Sequence, residues 1–229
     1  MNNSYTNNSL SIILFNSNGL NNHVNQLQSV LFDKRINIAL ISETHFTEFS
    51  YISIPGYSLI KSNHPDGTAH GRAAILIKSN LNYYSLANYS QNHFESCAIS
   101  ITIINIPVTI AAIYSPPRHN LTIDNFTNFF DSTTNNFIIG GDYNAKHQSW
   151  GCRVTYPRGN LLYHFNNTKK YKILAPPGPT YWPTSVRKKP DILEIFVTKI
   201  PSNLYYSINN IPDLNSDHSS VILNIHATP

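Results

Sequence analysis

Short apolar runs that each stop at a cluster of polar residues constrain this chain more than any other feature. Leu10 to Phe15 ends at Asn16-Ser17-Asn18-Gly19, Leu40-Ile41 at Ser42-Glu43-Thr44-His45, and Phe137-Ile138-Ile139 at Gly140-Gly141-Asp142-Tyr143-Asn144. The order is reversed near the C-terminus, where Ser216-Asp217-His218-Ser219 leads into Val221-Ile222-Leu223. Apolar runs this short, bounded by turn formers, read as buried strands. A carboxylate beside an imidazole is costly to bury without partners. The clusters therefore read as one polar site assembled from strand ends.

Helical spacing appears in three places. Val24, Leu27, Val30 and Leu31 follow Asn21 or Asn22 as the expected cap, in a helix running to about Lys34. Ile123, Phe126, Phe129 and Phe130 form a second apolar stripe, with Asp124 near its start, and Leu161, Leu162 and Phe165 a third over 158–168. Cys97, Ile99, Ile101 and Ile103 alternate onto one face, and Asn105-Ile106-Pro107 is expected to turn that strand into Val108–Tyr114. Further strands are expected at Ile36–Ile41, Ser58–Lys61, Ala73–Lys78, Asn82–Tyr89, Ile192–Thr198, Leu204–Asn209 and Ser219–Ile225, with Thr180 to Trp182 extended. Strand hairpins mixed with βα units imply an α/β protein of two face-to-face sheets with helices outside. Residues 1–8 read as a disordered polar tail and 9–229 as a single domain.

Composition is compatible with this. The chain has 229 residues, 41% of them hydrophobic, enough for a sizeable core. Its net charge of +4 and pI near 9.0 permit a polyanionic partner without requiring one. Cys97 and Cys152 make no CxxC pair, which argues against zinc and for two free thiols. No signal peptide and no apolar stretch of roughly 20 residues is present, so a soluble intracellular protein without membrane attachment is expected. No G-x-S-x-G, H-E-x-x-H or P-loop occurs.

Hydrolysis of a phosphodiester needs an activated water, stabilisation of phosphoryl charge and help for the leaving oxygen. Glu43 at a strand exit is a hard oxygen ligand of the kind Mg²⁺ prefers. Asp142 and Asn144, two apart, face one way if the backbone stays extended, with an Asx turn after the strand as the alternative. Asp191, before Ile192-Leu193, reads either as a strand-start cap or, if near His218 in space, as the group that orients that imidazole.

Taken in order, Asn16-x-Asn18-Gly19, Glu43-Thr44-His45, Tyr114-Ser115-Pro116, Gly141-Asp142-Tyr143-Asn144, Thr180-Tyr181, Asp191 and Ser216-Asp217-His218 resemble the endonuclease/exonuclease/phosphatase superfamily over nearly the whole chain. Gly140-Gly141-Asp142-Tyr143-Asn144-Ala145-Lys146-His147 with Trp150-Gly151 is similar to the Jockey-type branch of non-LTR retrotransposon endonuclease domains.

The resemblance implies a four-layer α/β sandwich, two packed mixed β-sheets flanked by helices. It implies a Mg²⁺-dependent endonuclease, with Mn²⁺ as a substitute, that nicks one strand of double-stranded DNA to leave 3′-hydroxyl and 5′-phosphate ends. Glu43 and Asp217 would serve the metal, with Asn16 in the same network. Asp142 would act as acid or base, Asn144 and Tyr114 would position the phosphate, and His218, held by Asp191, would bind it. Thr180, Trp182, Arg187, Lys188, Lys189, Arg118 and Asn18 would contact DNA, with Arg153 and Arg158 as further phosphate contacts. A fused downstream reverse transcriptase, action in the nucleus and synthesis in the cytoplasm follow from the same resemblance. An apurinic repair endonuclease, or another phosphodiesterase or phosphatase of the superfamily, is the alternative.

Overall fold

The computed structural model describes residues 9–47, 49–62, 72–185, 187, 189–211 and 217–227. The expected tail at 1–8, the loop 63–71, Lys188 and Ser216 lie outside the described residues. β1 (Ser9–Asn16), α1 (Val24–Asp33) and β2 (Ile38–Ser42) make a βαβ unit whose strands are parallel neighbours. β3 (Tyr57–Lys61) and β4 (Ala73–Lys78) follow as an antiparallel pair. Then come β5 (Tyr84–Ser85), β6 (Tyr89–Gln91), β7 (Phe94–Ile103), β8 (Ile106–Tyr114), α2 (Ile123–Asp131) and β9 (Phe137–Asp142). The chain continues through α3 (Pro157–Lys169), β10 (Lys172–Leu174), β11 (Glu194–Lys199), β12 (Leu204–Ile211) and β13 (Ser220–Ala227). One sheet runs β12-β13-β1-β2-β4-β3 and the other β10-β11-β9-β8-β7-β5, with β6 also on β7.

Strand alternation sorts the side chains into layers. Leu10, Ile12 and Leu14 of β1 and Ile38 and Leu40 of β2 meet Cys97, Ile99, Ile110, Ala112, Ile138 and Phe196 between the sheets. The alternate residues Ile13, Phe15, Ala39 and Ile41 face outward onto Leu27, Val30 and Leu31 of α1. Ala111, Ile113, Ile139 and Ile195 do the same for Phe126, Phe129 and Phe130 of α2 and Leu162 and Phe165 of α3. The result is the four-layer sandwich, each buried Leu or Ile contributing about 1.5–3 kcal/mol. α2 starts at a reciprocal cap: Thr122 Oγ1 accepts the Asn125 N–H at 3.3 Å, and Asn125 Oδ1 accepts the Thr122 N–H at 2.9 Å.

Several element boundaries differ from expectation. Asn82–Tyr89 is broken into two short strands, because its residues pair only at Tyr84–Ser85 and Tyr89. The hairpin turns at Ile104-Asn105, both at positive φ, so Ile106 and Pro107 already belong to β8. Asn21 and Asn22 lie in a 3₁₀ turn ahead of α1, which His23 precedes without a side-chain cap. β10, a three-residue edge strand, had no signal beyond Ile173-Leu174.

The layer order places the site. Asn16, Tyr114 and Asp142 each end a row of inward-facing residues, and Glu194 begins one. Core packing stops at these positions, and polar groups from both sheets converge at the rim.

Candidate active site

Tyr114 and Glu194 flank Asp142 in register, on β8 and β11. The strands approach closely there: a Cβ on Gly141 would fall 1.8 Å from the carbonyl oxygen of Ile113. Gly141 thus makes room for neighbouring backbone.

Asn16 crosses from the other sheet. Its Nδ2 donates to Glu43 Oε1 and to Asp142 Oδ2, each at 3.1 Å, while its Oδ1 accepts the Asn18 N–H at 3.1 Å. One amide thus holds two carboxylates that charge repulsion would otherwise separate. Asp142 Oδ1 accepts the Asn144 N–H at 2.7 Å, and Asn144 Nδ2 donates to the Ser115 carbonyl at 3.2 Å. This is the Asx turn, with Asn144 at φ 46°, and not the extended backbone that would aim both side chains one way. Asn18, Glu43, His45 and Arg72 also sit at positive φ, between 41° and 53°. Such a concentration of non-glycine left-handed residues marks a rim where side-chain placement outweighs backbone strain.

His218 Nδ1 lies 2.5 Å from Glu194 Oε1, with the imidazole 8% exposed and the carboxylate fully buried. Burial alone would lower the proton affinity of the ring. The hydrogen bond and charge of Glu194, with Asp142 and Asp217, outweigh it and raise the pKa to about 9, so the ring is an imidazolium at neutral pH. Burial, with the charges of Glu194 and Glu43, holds the Asp142 carboxyl well above the usual carboxylate range, against the opposing pull of His218. Burial chiefly, then the charges of Glu43 and Asp142, keep the Tyr114 phenol protonated.

Asp191 does not orient His218. It is buried beside Lys146, Oδ2 to Nζ 3.1 Å, and its Oδ1 accepts the backbone N–H groups of Arg153 and Ile192. Glu194 holds the imidazole instead. Its signal in the sequence was an ionisable residue inside the apolar run Ile192–Val197, at the inward parity of Phe196. Thr180 is fully buried, its hydroxyl taking the Leu193 and Glu194 N–H groups at 2.9 and 3.3 Å. It braces the start of β11 and is not placed to touch DNA.

Arg158 is likewise committed, to the carbonyls of Ser115, Pro116, Pro117 and His119, and so builds the loop after Tyr114. Trp182, Arg187, Lys189, Arg118, Arg153 and Asn18 are exposed. Arg118 Nε donates to His119 Nε2 at 3.0 Å, and Trp182 Nε1 donates to Ser219 Oγ at 3.0 Å.

The decisive comparison lies along this half of the chain. The endonuclease-reverse transcriptase family model matches residues 108–222, which hold Tyr114, Asp142, Asn144, Glu194 and His218. The chain belongs to the endonuclease-reverse transcriptase family. It is 34% identical over 220 residues to the RNA-directed DNA polymerase from mobile element jockey of Drosophila melanogaster, and 31% identical to that of Drosophila funebris. Each match covers 96% of this chain and 24% of the relative, so the chain spans about a quarter of their length.

The family fold is seen in the endonuclease domain of TRAS1, a telomere-specific non-LTR retrotransposon, with a TM-score of 0.75 and 19% identity over 96% of this chain and all of that one. An AP endonuclease from Leishmania major has a TM-score of 0.72 and 10% identity over 97% of this chain and 89% of that one. The chain therefore has the two-sheet fold of these endonucleases.

The donor chemistry of the site fits a hard divalent ion. Glu43 and Asp142 present carboxylate oxygens to one shared amide, and Glu194 Oε2 is buried without a hydrogen-bond partner. Asp142, Glu194 and His218 bring ligand atoms within 4.8 Å of one another. The His218 nitrogen facing Glu194 is already engaged by that carboxylate, however. The carboxylate oxygens are the donors this leaves for a cation. Asp217, 30% exposed with Oδ1 4.0 Å from His218 Nε2, stands at the mouth of the same group.

Proposed function

We propose that this domain nicks one strand of double-stranded DNA, leaving 3′-hydroxyl and 5′-phosphate ends that prime reverse transcription. The observation that carries the reading is the buried Glu194–His218 pair set against Asp142, with Asn16 tying Asp142 to Glu43. His218, fixed through Nδ1, offers Nε2 to a phosphoryl oxygen, so positive charge meets the developing negative charge. Asp142 holds or moves the proton between water and leaving oxygen, and the Tyr114 hydroxyl donates to the phosphate. Glu43 and Asp217 would hold Mg²⁺ or Mn²⁺, which supplies Lewis-acid stabilisation of the phosphoryl group. The exposed Trp182, Arg187, Lys189, Arg118 and Asn18 are the DNA-facing groups in this reading. The jockey relatives, RNA-directed DNA polymerases about four times as long as this chain, support a reverse transcriptase fused downstream, and in this reading the two act together in the nucleus.

The test offers supercoiled plasmid, an abasic duplex and an inositol polyphosphate to the protein with Mg²⁺. Relaxed circles whose ends a polymerase extends directly are the expected outcome. Turnover confined to the abasic duplex or to the inositol phosphate overturns the reading in favour of a repair endonuclease or a phosphatase.

A further inference from the structure

Trp182, Arg187 and Lys189 lie between two chain stretches that close on each other as a narrow neck. Tyr181 and Asp191 close it: the Tyr181 N–H and Thr180 N–H both donate to the Asp191 carbonyl, at 2.9 and 3.0 Å, and the Asp191 N–H returns to Tyr181 at 3.1 Å. On one side the neck is fastened to the His218 segment, through the Trp182 N–H on the Asp217 carbonyl at 2.7 Å. On the other side its only charged fastening among the described residues is the Asp191 carboxylate on Lys146, 3.1 Å away, with side chains 2% and 19% exposed.

Lys146 is itself rigidly based. Its carbonyl accepts the Tyr156 N–H at 3.0 Å, and α3 lies so close that a Cβ on Gly159 would fall 1.8 Å from that oxygen. Its ammonium also sits 5.7 Å from the centre of the Tyr156 ring. Lys146 follows Asn144 by two positions, on the loop that begins with the Asp142 turn.

From this geometry we infer that the Lys146–Asp191 ion pair is a specificity-determining strut. It sets the bearing of the Trp182–Pro190 segment relative to Asp142 and Asn144, and so decides which DNA steps present their phosphate to His218. Neither residue touches the reacting groups, so both are positioning residues. A largely buried pair has little water to substitute for it, and the neck cannot re-fasten when one partner is removed. Selection among DNA steps by their shape and deformability depends on where the probing side chains stand, not on base hydrogen bonds alone. This inference rests on the endonuclease reading above.

The test maps nicks at nucleotide resolution on one long duplex for the wild type, Lys146→Met, Asp191→Asn and the double variant. Asp191→Asn keeps an oxygen for the Arg153 and Ile192 N–H groups and so guards against simple unfolding, which circular dichroism monitors in each protein. The preference for the strongest sites over the median site is expected to fall about tenfold in both single variants, with each additional shortfall absent from the double variant because they break one interaction. Lys146→Arg is expected to restore most of the preference.

A variant with the wild-type pattern, or a uniform loss at every site in folded protein, overturns the strut while leaving the endonuclease reading intact. A folded wild type that nicks nothing overturns the endonuclease reading and the strut with it.

Discussion

The rim cluster and the 182–190 segment sit side by side, both anchored at Thr180–Trp182, yet they are built in opposite ways. Asn16, Asp142, Glu194 and His218 are buried, and each is fixed by a side-chain partner distant in the chain. Arg187, Lys189 and Trp182 are exposed, and of the three only Trp182 has a side-chain hydrogen bond among the described residues. The contrast separates two tasks. Electrostatic work on a reacting phosphate gains from low dielectric and preorganised partners. Contact with a long polyanion gains from solvated cations that exchange counterions and can be replaced one by one.

That division is open to attack from both sides. The largest effect is expected from His218→Ala or Asp142→Ala, each lowering nicking of supercoiled plasmid by roughly 10²–10⁴-fold with the circular dichroism spectrum unchanged. Retained nicking in either would remove the rim cluster from the chemistry. Glu194→Gln is expected to come next, a loss of roughly 10–100-fold in kcat with KM nearly constant, because the imidazole loses its fixed charge partner.

Stripping divalent ions with a chelator should abolish nicking and be reversed by Mg²⁺, with binding of the duplex largely retained in a gel-shift assay. Arg187→Ala and Lys189→Ala should each weaken duplex binding only a few-fold and flatten the slope of log affinity against log salt by about 0.9. A change in kcat greater than in KM would place these cations in the chemistry after all. The smallest effect is expected from Thr122→Ala, remote from both regions, which should cost about 1 kcal/mol in denaturant melts and leave nicking untouched.

Much of this arrangement was legible in the chain because strands obey a period of two. Once Leu10, Ile12 and Leu14 are read as one face, Asn16 has to end that face, and the same count delivers Tyr114 and Asp142. What escaped was the partner of the imidazole. Asp191 opens an apolar run and invited pairing with His218, but its true partner, Lys146, lies on a loop whose course no local pattern fixes. Glu194 stood inside the apolar run, where it looked like an interruption of a strand and not a member of a site.

Parity would have separated them, since Glu194 shares its face with Phe196. Thr180 misled for a related reason: a hydroxyl near a basic loop reads as a surface contact, whereas here it caps two backbone donors in the interior. Arg158 shows the same limit, because the carbonyls that consume its guanidinium belong to a distant loop.

The two unpaired thiols carry a different consequence. Cys97 lies between the sheets and Cys152 under the layer of α2 and α3, both buried, and burial pushes the Cys97 thiol far above its ordinary range. A thiol in that condition reacts only when its surroundings part, so the molecule contains two clocks, one in each interface. Alkylation followed by mass spectrometry reads them separately. Equal rates would mean that the sandwich opens as one body, and a faster Cys152 that the helices peel from a sheet pair still closed.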